Sequence, residues 1–227
     1  MNSFLRVAWL VMRKDLKVES RSWEMMSTTL FFAVSCVLVF SFAFVREGRA
    51  IEGAAAGILW IAVAFSGTLS LGPTFERERY HDALRGLLLA PVERAAVFVG
   101  KLLGVLLLMS IVEVVVAVLV ALLFQAPIIQ YFWWISALLI LGNLGFASVG
   151  TLFAAMLART RSRAVLLPIL LYPITMPALI AGVMGTVAVI QIEPNFELAR
   201  FWLVLLLFFD AIFLTLALWT FEPVMTE

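Results

Sequence analysis

The chain has 227 residues, of which 64% are hydrophobic and 14% are charged, and its formal net charge is +1. A soluble domain contains about 45–50% apolar residues, and a globule of this size could not bury so large an excess. The composition therefore excludes a soluble enzyme, the single cysteine, Cys36, excludes a disulfide scaffold, and the charge gives no sign of a nucleic-acid partner. What remains is a polytopic membrane protein of the all-α class.

Residues 1–22 predict an amphipathic helix that lies in the membrane interface. Leu5, Trp9, Met12 and Leu16 fall within about 40° of one line at 100° per residue. Five basic residues share the adjoining sector: Arg6, Arg13, Lys14, Lys17 and Arg21. Such a helix places its apolar stripe in lipid acyl chains and its cations near anionic headgroups. It either anchors the N-terminus or connects the membrane spans to a cytoplasmic partner and transmits force, and the two roles are compatible.

Six later stretches are long and apolar enough to cross a bilayer core of about 30 Å, which takes roughly 20 helical residues. The expected spans are residues 23–45, 51–75, 95–124, 131–157, 164–191 and 200–221. A charged segment precedes the first span and its apolar run is long, so we expect it not to be a cleaved signal peptide. We expect one transmembrane domain over residues 1–227, without a separate extramembrane domain.

The distribution of basic residues predicts that both termini are cytoplasmic. Thirteen of the 16 Lys and Arg residues lie in the N-terminal segment or in the second and fourth loops, and three lie on the opposite side. Cytoplasmic segments carry such an excess of positive charge. The even number of spans agrees with this orientation, and the loops expected on the outer side are short.

The second loop contains the most informative segment outside the spans. Residues 76–91 carry dense mixed charge and then a leucine-rich run that ends at Pro91. Tyr80, Leu84 and Leu87 share one face at helical spacing, which predicts a cytoplasmic helix of about four turns. Its acidic residues suit a cleft in a partner protein better than a lipid surface. The candidate partner-binding residues are Glu76, Arg77, Glu78, Arg79, Tyr80, Leu84, Arg85, Leu87 and Leu88.

The sequence contains no residues for nucleotide hydrolysis or for a metal site. Phosphate binding needs a Gly-rich loop followed by Lys and Ser or Thr, whereas Gly100-Lys101 is followed by Leu102. His81 is the only histidine, which excludes a bis-histidine heme site, and there is no Cys-x-x-Cys-His sequence. We therefore expect no catalytic residue and no bound cofactor.

Two acidic residues lie deep in the predicted spans, Glu113 in the third and Asp210 in the sixth. Each costs roughly 2.5–3.5 kcal/mol at a helix centre on insertion scales, so each must be neutralised, partnered or facing water. They either line a path for a substrate, stabilise a moving interface, or form interhelical hydrogen bonds, with Asn143 and Thr215 as candidate partners. We favour the hydrogen bond for Asp210, and both interpretations stay open for Glu113.

The fifth predicted span contains Pro168, Pro173 and Pro177. Each removes a backbone donor, so we expect this helix to be bent or broken. A break would mark a moving or substrate-facing helix, although kinking for packing is equally consistent. The fourth span carries three small residues that favour close helix contact, namely Gly142, Gly145 and Gly150.

Four segments resemble the CcmB family of membrane proteins. They are Phe-Glu-Arg-Glu-Arg at 75–79, Ala-Leu-Arg-Gly-Leu-Leu-Leu-Ala-Pro at 83–91, Gly-Lys-Leu at 100–102 and the proline pattern at 167–177. The length, the six spans and the expected cytoplasmic termini are also similar. Asp82 and Arg85 stand where that family commonly has a glycine and a glutamate.

The resemblance implies an ABC-2-like permease in the cell inner membrane, within the heme-exporter ABC complex of cytochrome c maturation. It implies two copies of the chain, two copies of a cytoplasmic ATPase subunit that binds ATP, a heme-handling membrane subunit and a small single-span subunit. Residues 76–91 would be the coupling helix that sits in a cleft of the ATPase. ATP hydrolysis would drive heme delivery, or release of a heme-loaded chaperone, on the outer face.

We therefore expect a non-catalytic permease subunit. One alternative is the permease of another ABC exporter with a different substrate. A second is a self-contained channel or secondary transporter, for which we find no clear internal repeat. A third is a membrane-embedded enzyme or assembly factor, for which two isolated acids fall short of a catalytic cluster.

Overall fold

The structure, a computed structural model, describes residues 3–46, 49–50, 53–72, 93–158, 160 and 162–226. Seven α-helices lie in these ranges: α1 Ser3–Ser22, α2 Glu24–Phe44, α3 Ala54–Leu71, α4 Arg94–Leu123, α5 Phe132–Met156, α6 Arg163–Ile190 and α7 Phe196–Thr226. Between α2 and α3, β1 Val45–Arg46 pairs antiparallel with β2 Arg49–Ala50. The all-α class predicted from the sequence is confirmed.

Six of the helices within the described ranges, α2 to α7, are long and apolar enough to cross a membrane. They coincide with the six predicted spans, but the last one begins at Phe196, four residues earlier than expected. Asn195 explains the earlier start, because its side-chain oxygen accepts a hydrogen bond from the Leu198 backbone N–H at 2.9 Å. This contact is the usual N-cap of a helix.

The predicted N-terminal helix is confirmed as a separate element. Trp23 separates α1 from α2 and adopts a left-handed backbone conformation, with φ of 50°. The buried Glu19 stabilises the turn between α1 and α2, because its Oε1 accepts a hydrogen bond from the Met26 backbone N–H at 2.7 Å. The chain thereby changes direction between α1 and the first span.

The centre of the bundle is formed by α3 and α5, the two spans that are most deeply buried. Trp60 of α3 packs against Gly142 of α5 and Gly182 of α6, and its indole N–H donates to Thr186 Oγ1 at 2.9 Å. A Cβ atom at Gly142 would lie 2.1 Å from the Trp60 ring, so only glycine fits there. The close helix contacts predicted for the fourth span are confirmed, because Gly145 and Gly150 also adjoin other helices.

Of the two outcomes expected for the fifth span, a bend or a break, the break is not found. Helix α6 continues without interruption through Pro168, Pro173 and Pro177. Inside a membrane, unwinding the helix would expose further backbone groups that lipid cannot satisfy, which favours keeping the remaining hydrogen bonds. Packing against α3, α5 and α7 also stabilises α6 as one continuous helix.

Contacts between helix ends show which ends share one side of the bundle. Arg94, at the start of α4, has its Nη1 3.9 Å from Glu222 Oε1, near the end of α7. Arg163, at the start of α6, donates from Nη2 to the Gly72 carbonyl, just after α3, at 2.7 Å. Because α1 also packs on the first turns of α4, we call this the α1 side. The helices alternate in direction, as six consecutive spans require.

Candidate functional site

The predicted coupling segment, residues 76–91, lies outside the described residues, and all nine of its candidate partner-binding residues lie outside with it. The elements that flank it are described. On one side Gly72 is bonded to Arg163, and on the other Arg94 lies beside Glu222. The described residues that flank the segment therefore contact the start of α6 and the end of α7 on the α1 side.

A close contact joins α1 to α4. We call it the α1–α4 seam, formed by Ala8, Val11 and Asp15 of α1 with Gly100, Lys101 and Gly104 of α4. A Cβ atom at position 100 would lie 2.6 Å from the Ala8 carbonyl oxygen and 2.7 Å from Val11 Cβ. One turn later, a Cβ atom at position 104 would be 3.8 Å from Asp15 Cβ, which is ordinary contact. The two helices therefore approach most closely at Gly100.

A buried ion pair lies beside this close approach. Lys101 Nζ is 2.9 Å from Asp15 Oδ2, and the exposed fractions of the two side chains are 1% and 23%. Lys14 Nζ adds a contact of 3.2 Å to Asp15 Oδ1. A buried charge must be paired to offset the loss of its hydration. The pair therefore fixes the register of α1 along α4.

The buried side of α1 coincides only in part with the predicted apolar stripe. The predicted apolar stripe is divided, because Met12 is buried whereas Leu5 and Trp9 are more than half exposed. The buried side of α1 is instead formed by residues at helical spacing: Ala8, Val11, Met12 and Glu19. Leu5 and Trp9 stay exposed, as residues of a lipid-facing stripe would be. The anchoring and the connecting role of α1 both stay predictions.

Glu113 takes part in an interhelical hydrogen bond, which was one of its two predicted roles. The side chain is buried in α4, and the Asn143 amide of α5 donates to its Oε2. Neither Glu113 Oε1 nor Asn143 Oδ1 has a hydrogen-bond partner among the described residues. Glu113 also lines a cavity of about 420 Å³ between α4 and α5.

For Asp210 the favoured hydrogen bond is not formed. Both of its carboxyl oxygens are buried without a partner in the described part of the chain. Thr215 instead donates to the Ala211 carbonyl of its own helix at 2.7 Å, a common arrangement for a hydroxyl in a helix. Gly145 makes room for the acid, since a Cβ atom there would lie 2.6 Å from Asp210 Oδ1.

Glu113 and Asp210 do not form one acidic site. Their contacts on α5, Asn143 and Gly145, are two positions apart and therefore point about 200° away from each other around the helix. The two acids lie against different faces of α5. In the ranges that the structure describes, no group of three or more His, Cys, Asp or Glu side chains could hold a metal ion.

The α1–α4 seam is a contact that the sequence motifs do not predict. As a motif, Gly100-Lys101 indicates only an incomplete phosphate-binding sequence. A signal for the contact was nevertheless present, because Gly100 and Gly104 form a Gly-x-x-x-Gly pattern that favours close helix approach. The pairing of Lys101 with Asp15 could not be read from spacing, since the two residues are far apart in the chain.

The chain matches the family model described as CcmB protein over residues 6–224. Heme exporter protein B of Rhodobacter capsulatus is 28% identical over 172 residues, which cover 76% of this chain and 78% of the relative. Heme exporter protein B of Paracoccus denitrificans is 30% identical over 170 residues, covering 74% and 77%. Heme exporter protein B of Haemophilus influenzae is 23% identical over 171 residues, covering 75% and 76%.

Proposed function

The chain belongs to the CcmB family, and we propose from this premise that it is the membrane permease subunit of an ABC transporter complex for heme export in c-type cytochrome biogenesis. The observation that carries the proposal is the family match over residues 6–224, which includes all six spans and the segment 76–91. The three relatives named above are all heme exporter B proteins, and this supports heme as the transported or handled ligand.

We propose that the chain itself is non-catalytic and that ATP is hydrolysed on a partner chain. The complex would contain two copies of this subunit, two cytoplasmic ATPase subunits, a heme-handling membrane subunit and a small single-span subunit. Hydrolysis on the cytoplasmic side would drive heme transfer, or release of the heme-loaded chaperone, on the outer face. The α1 side would be cytoplasmic, in agreement with the excess of Lys and Arg assigned to it.

The α1–α4 seam supports a mechanical role for the coupling segment. If residues 76–91 dock in the ATPase, a movement of that segment is passed to Arg94, the first residue of α4. Two turns further along, Gly100 and Lys101 are attached to α1 by close contact and by the ion pair with Asp15. Helices α1 and α4 would then move as one unit, because separating them would strip a buried ammonium of its carboxylate.

The test is recovery of the ATPase with an affinity-tagged chain from native membranes, together with the yield of holo-cytochrome c. Leu84→Asp places a charge on the predicted docking face, and we expect at least a tenfold loss of ATPase recovery, about 1.4 kcal/mol. The matched control is Leu89→Asp, which makes the same change on the opposite face of the predicted helix and should retain the ATPase. Equal recovery with both variants, or full activity of the purified chain without an ATPase, would refute the proposal.

A further inference from the structure

A groove lies between α4 and α5, in the half of the bundle remote from α1. Its volume is about 420 Å³, and most of its lining residues are apolar. Val114 and Ile140 on its rim are 65% and 64% exposed, although both belong to helices able to cross a membrane. In a bilayer this groove therefore opens towards lipid or towards another membrane protein.

A buried acid distinguishes the groove from an ordinary lipid-facing surface. Glu113 is among its lining residues, is 4% exposed, and carries in Oε1 a buried oxygen without a hydrogen-bond partner among the described residues. The Asn143 amide satisfies only the other oxygen. A buried polar atom without a partner costs about 1–3 kcal/mol, and acyl chains offer no donor. The groove therefore favours an occupant that brings a donor to Glu113.

The shape of the groove favours a helix as that occupant. Glu113, Ala117 and Ala121 follow one another at intervals of one turn, and all three line the groove. Small residues four positions apart allow a second helix to approach closely in a membrane, and polar side chains then link the two helices by hydrogen bonds. Ser110 and Ser136 also line the groove and add two hydroxyl groups to this surface.

We propose that the α4–α5 groove receives a membrane-spanning helix of another subunit, which brings a side-chain hydrogen-bond donor to Glu113. The inference rests on the proposed function, in which the chain assembles with further membrane subunits. A second copy of the chain is a poorer occupant, because a two-fold contact through this patch would bring groove against groove and fill neither of them.

The experiment places a photo-crosslinking amino acid in the full chain in its native membrane. Val114 in the groove is the probe position. Phe208 on α7 is the control, because its exposed fraction of 66% is close to the 65% of Val114 and it does not line the groove. We expect the Val114 probe to capture a different membrane protein at least fivefold more than the Phe208 probe. Equal capture at both positions, capture of a second copy alone, or lipid adducts alone would overturn the inference.

Two further variants test the contact itself. Val118→Trp fills the groove from a position that is 51% exposed, so the fold should be retained while capture falls at least fivefold. Glu113→Leu removes the acceptor and should reduce capture about fivefold, as expected for one hydrogen bond between membrane helices. Capture that is unchanged in both variants would overturn the inference. ATPase recovery from the same membranes is scored separately, so failure of the proposed function and failure of the groove contact are distinguishable.

Discussion

Helix α4 makes two buried polar contacts with neighbouring helices, and the two contacts differ in the chemical type of the partner. Lys101 pairs with Asp15 of α1 near one end, and Glu113 pairs with Asn143 of α5 deeper in the bundle. The two positions on α4 are twelve residues apart, or about 18 Å along the helix. The first contact joins two residues of opposite charge type, whereas the second uses an uncharged amide as the donor.

The difference follows from access to water. Asp15 is 23% exposed and also contacts Lys14, so the charge on this carboxylate can remain hydrated. Glu113 and Asn143 are both almost completely buried, where a formal charge is far more costly. Near the end of the helix a strong ionic contact can hold α1 to α4, while deeper in the membrane a weaker contact aligns α4 with α5. The α1–α4 seam should therefore be the stronger of the two.

The largest effect is expected from Asp15→Leu. This substitution leaves the buried Lys101 ammonium without the Asp15 carboxylate, and breaking a buried pair costs about 3 kcal/mol. Lys101→Leu should cost less, because the remaining Asp15 is partly exposed and retains Lys14. The measurement is the free energy of unfolding of each variant in mixed micelles.

The control for this prediction is an ion pair on the same side that is much more exposed. Arg94 and Glu222 have exposed side-chain fractions of 31% and 74%, and Glu222→Gln should change stability by about 0.5 kcal/mol or less. Equal losses of stability for Asp15→Leu and Lys101→Leu would contradict the prediction that the unpaired lysine is more costly than the unpaired aspartate. A loss for Glu222→Gln as large as that for Asp15→Leu would contradict the special role of the seam.

The next effect concerns the close approach of the two backbones. Gly100→Ala places a methyl group 2.6 Å from the Ala8 carbonyl oxygen, and because a backbone atom cannot rotate away, the helices must separate. Overpacking of this kind costs about 1–3 kcal/mol, and we expect about 2 kcal/mol. Gly104→Ala, one turn along the same helix, meets only ordinary contact at 3.8 Å and should be neutral or slightly stabilising. Similar stabilities of the two variants would show that α1 does not pack on α4 in this way.

The spans and the separate α1 could be predicted from the sequence because hydrophobic length and helical periodicity are local properties. The partners of the polar groups could not be predicted in the same way. Lys101 meets a residue from the start of the chain, and Asp210 is accommodated by Gly145 rather than by a hydrogen bond. The continuity of α6 through its prolines depends on the neighbouring helices and on the absence of water. These features are set by tertiary packing, to which sequence spacing is only a weak guide.

The smallest effect is expected at the deeper contact. Asn143→Leu removes the donor to Glu113 Oε2 and, with it, the buried Asn143 Oδ1 that has no partner among the described residues. The substitution also leaves Glu113 Oε2 without this donor, and that cost offsets the gain from removing the unsatisfied Asn143 Oδ1. We therefore expect a net loss of about 0.6–1 kcal/mol, the usual range for hydrogen bonds between membrane helices. In a Glu113→Leu background the same substitution should hardly change the free energy of unfolding, because the two side chains act as a pair.

Ser148→Ala is the control for this prediction, since the Ser148 hydroxyl donates within its own helix to the Leu144 carbonyl. A loss for Asn143→Leu above that for Asp15→Leu would reverse the order of the two contacts and make the deeper one the main attachment of α4.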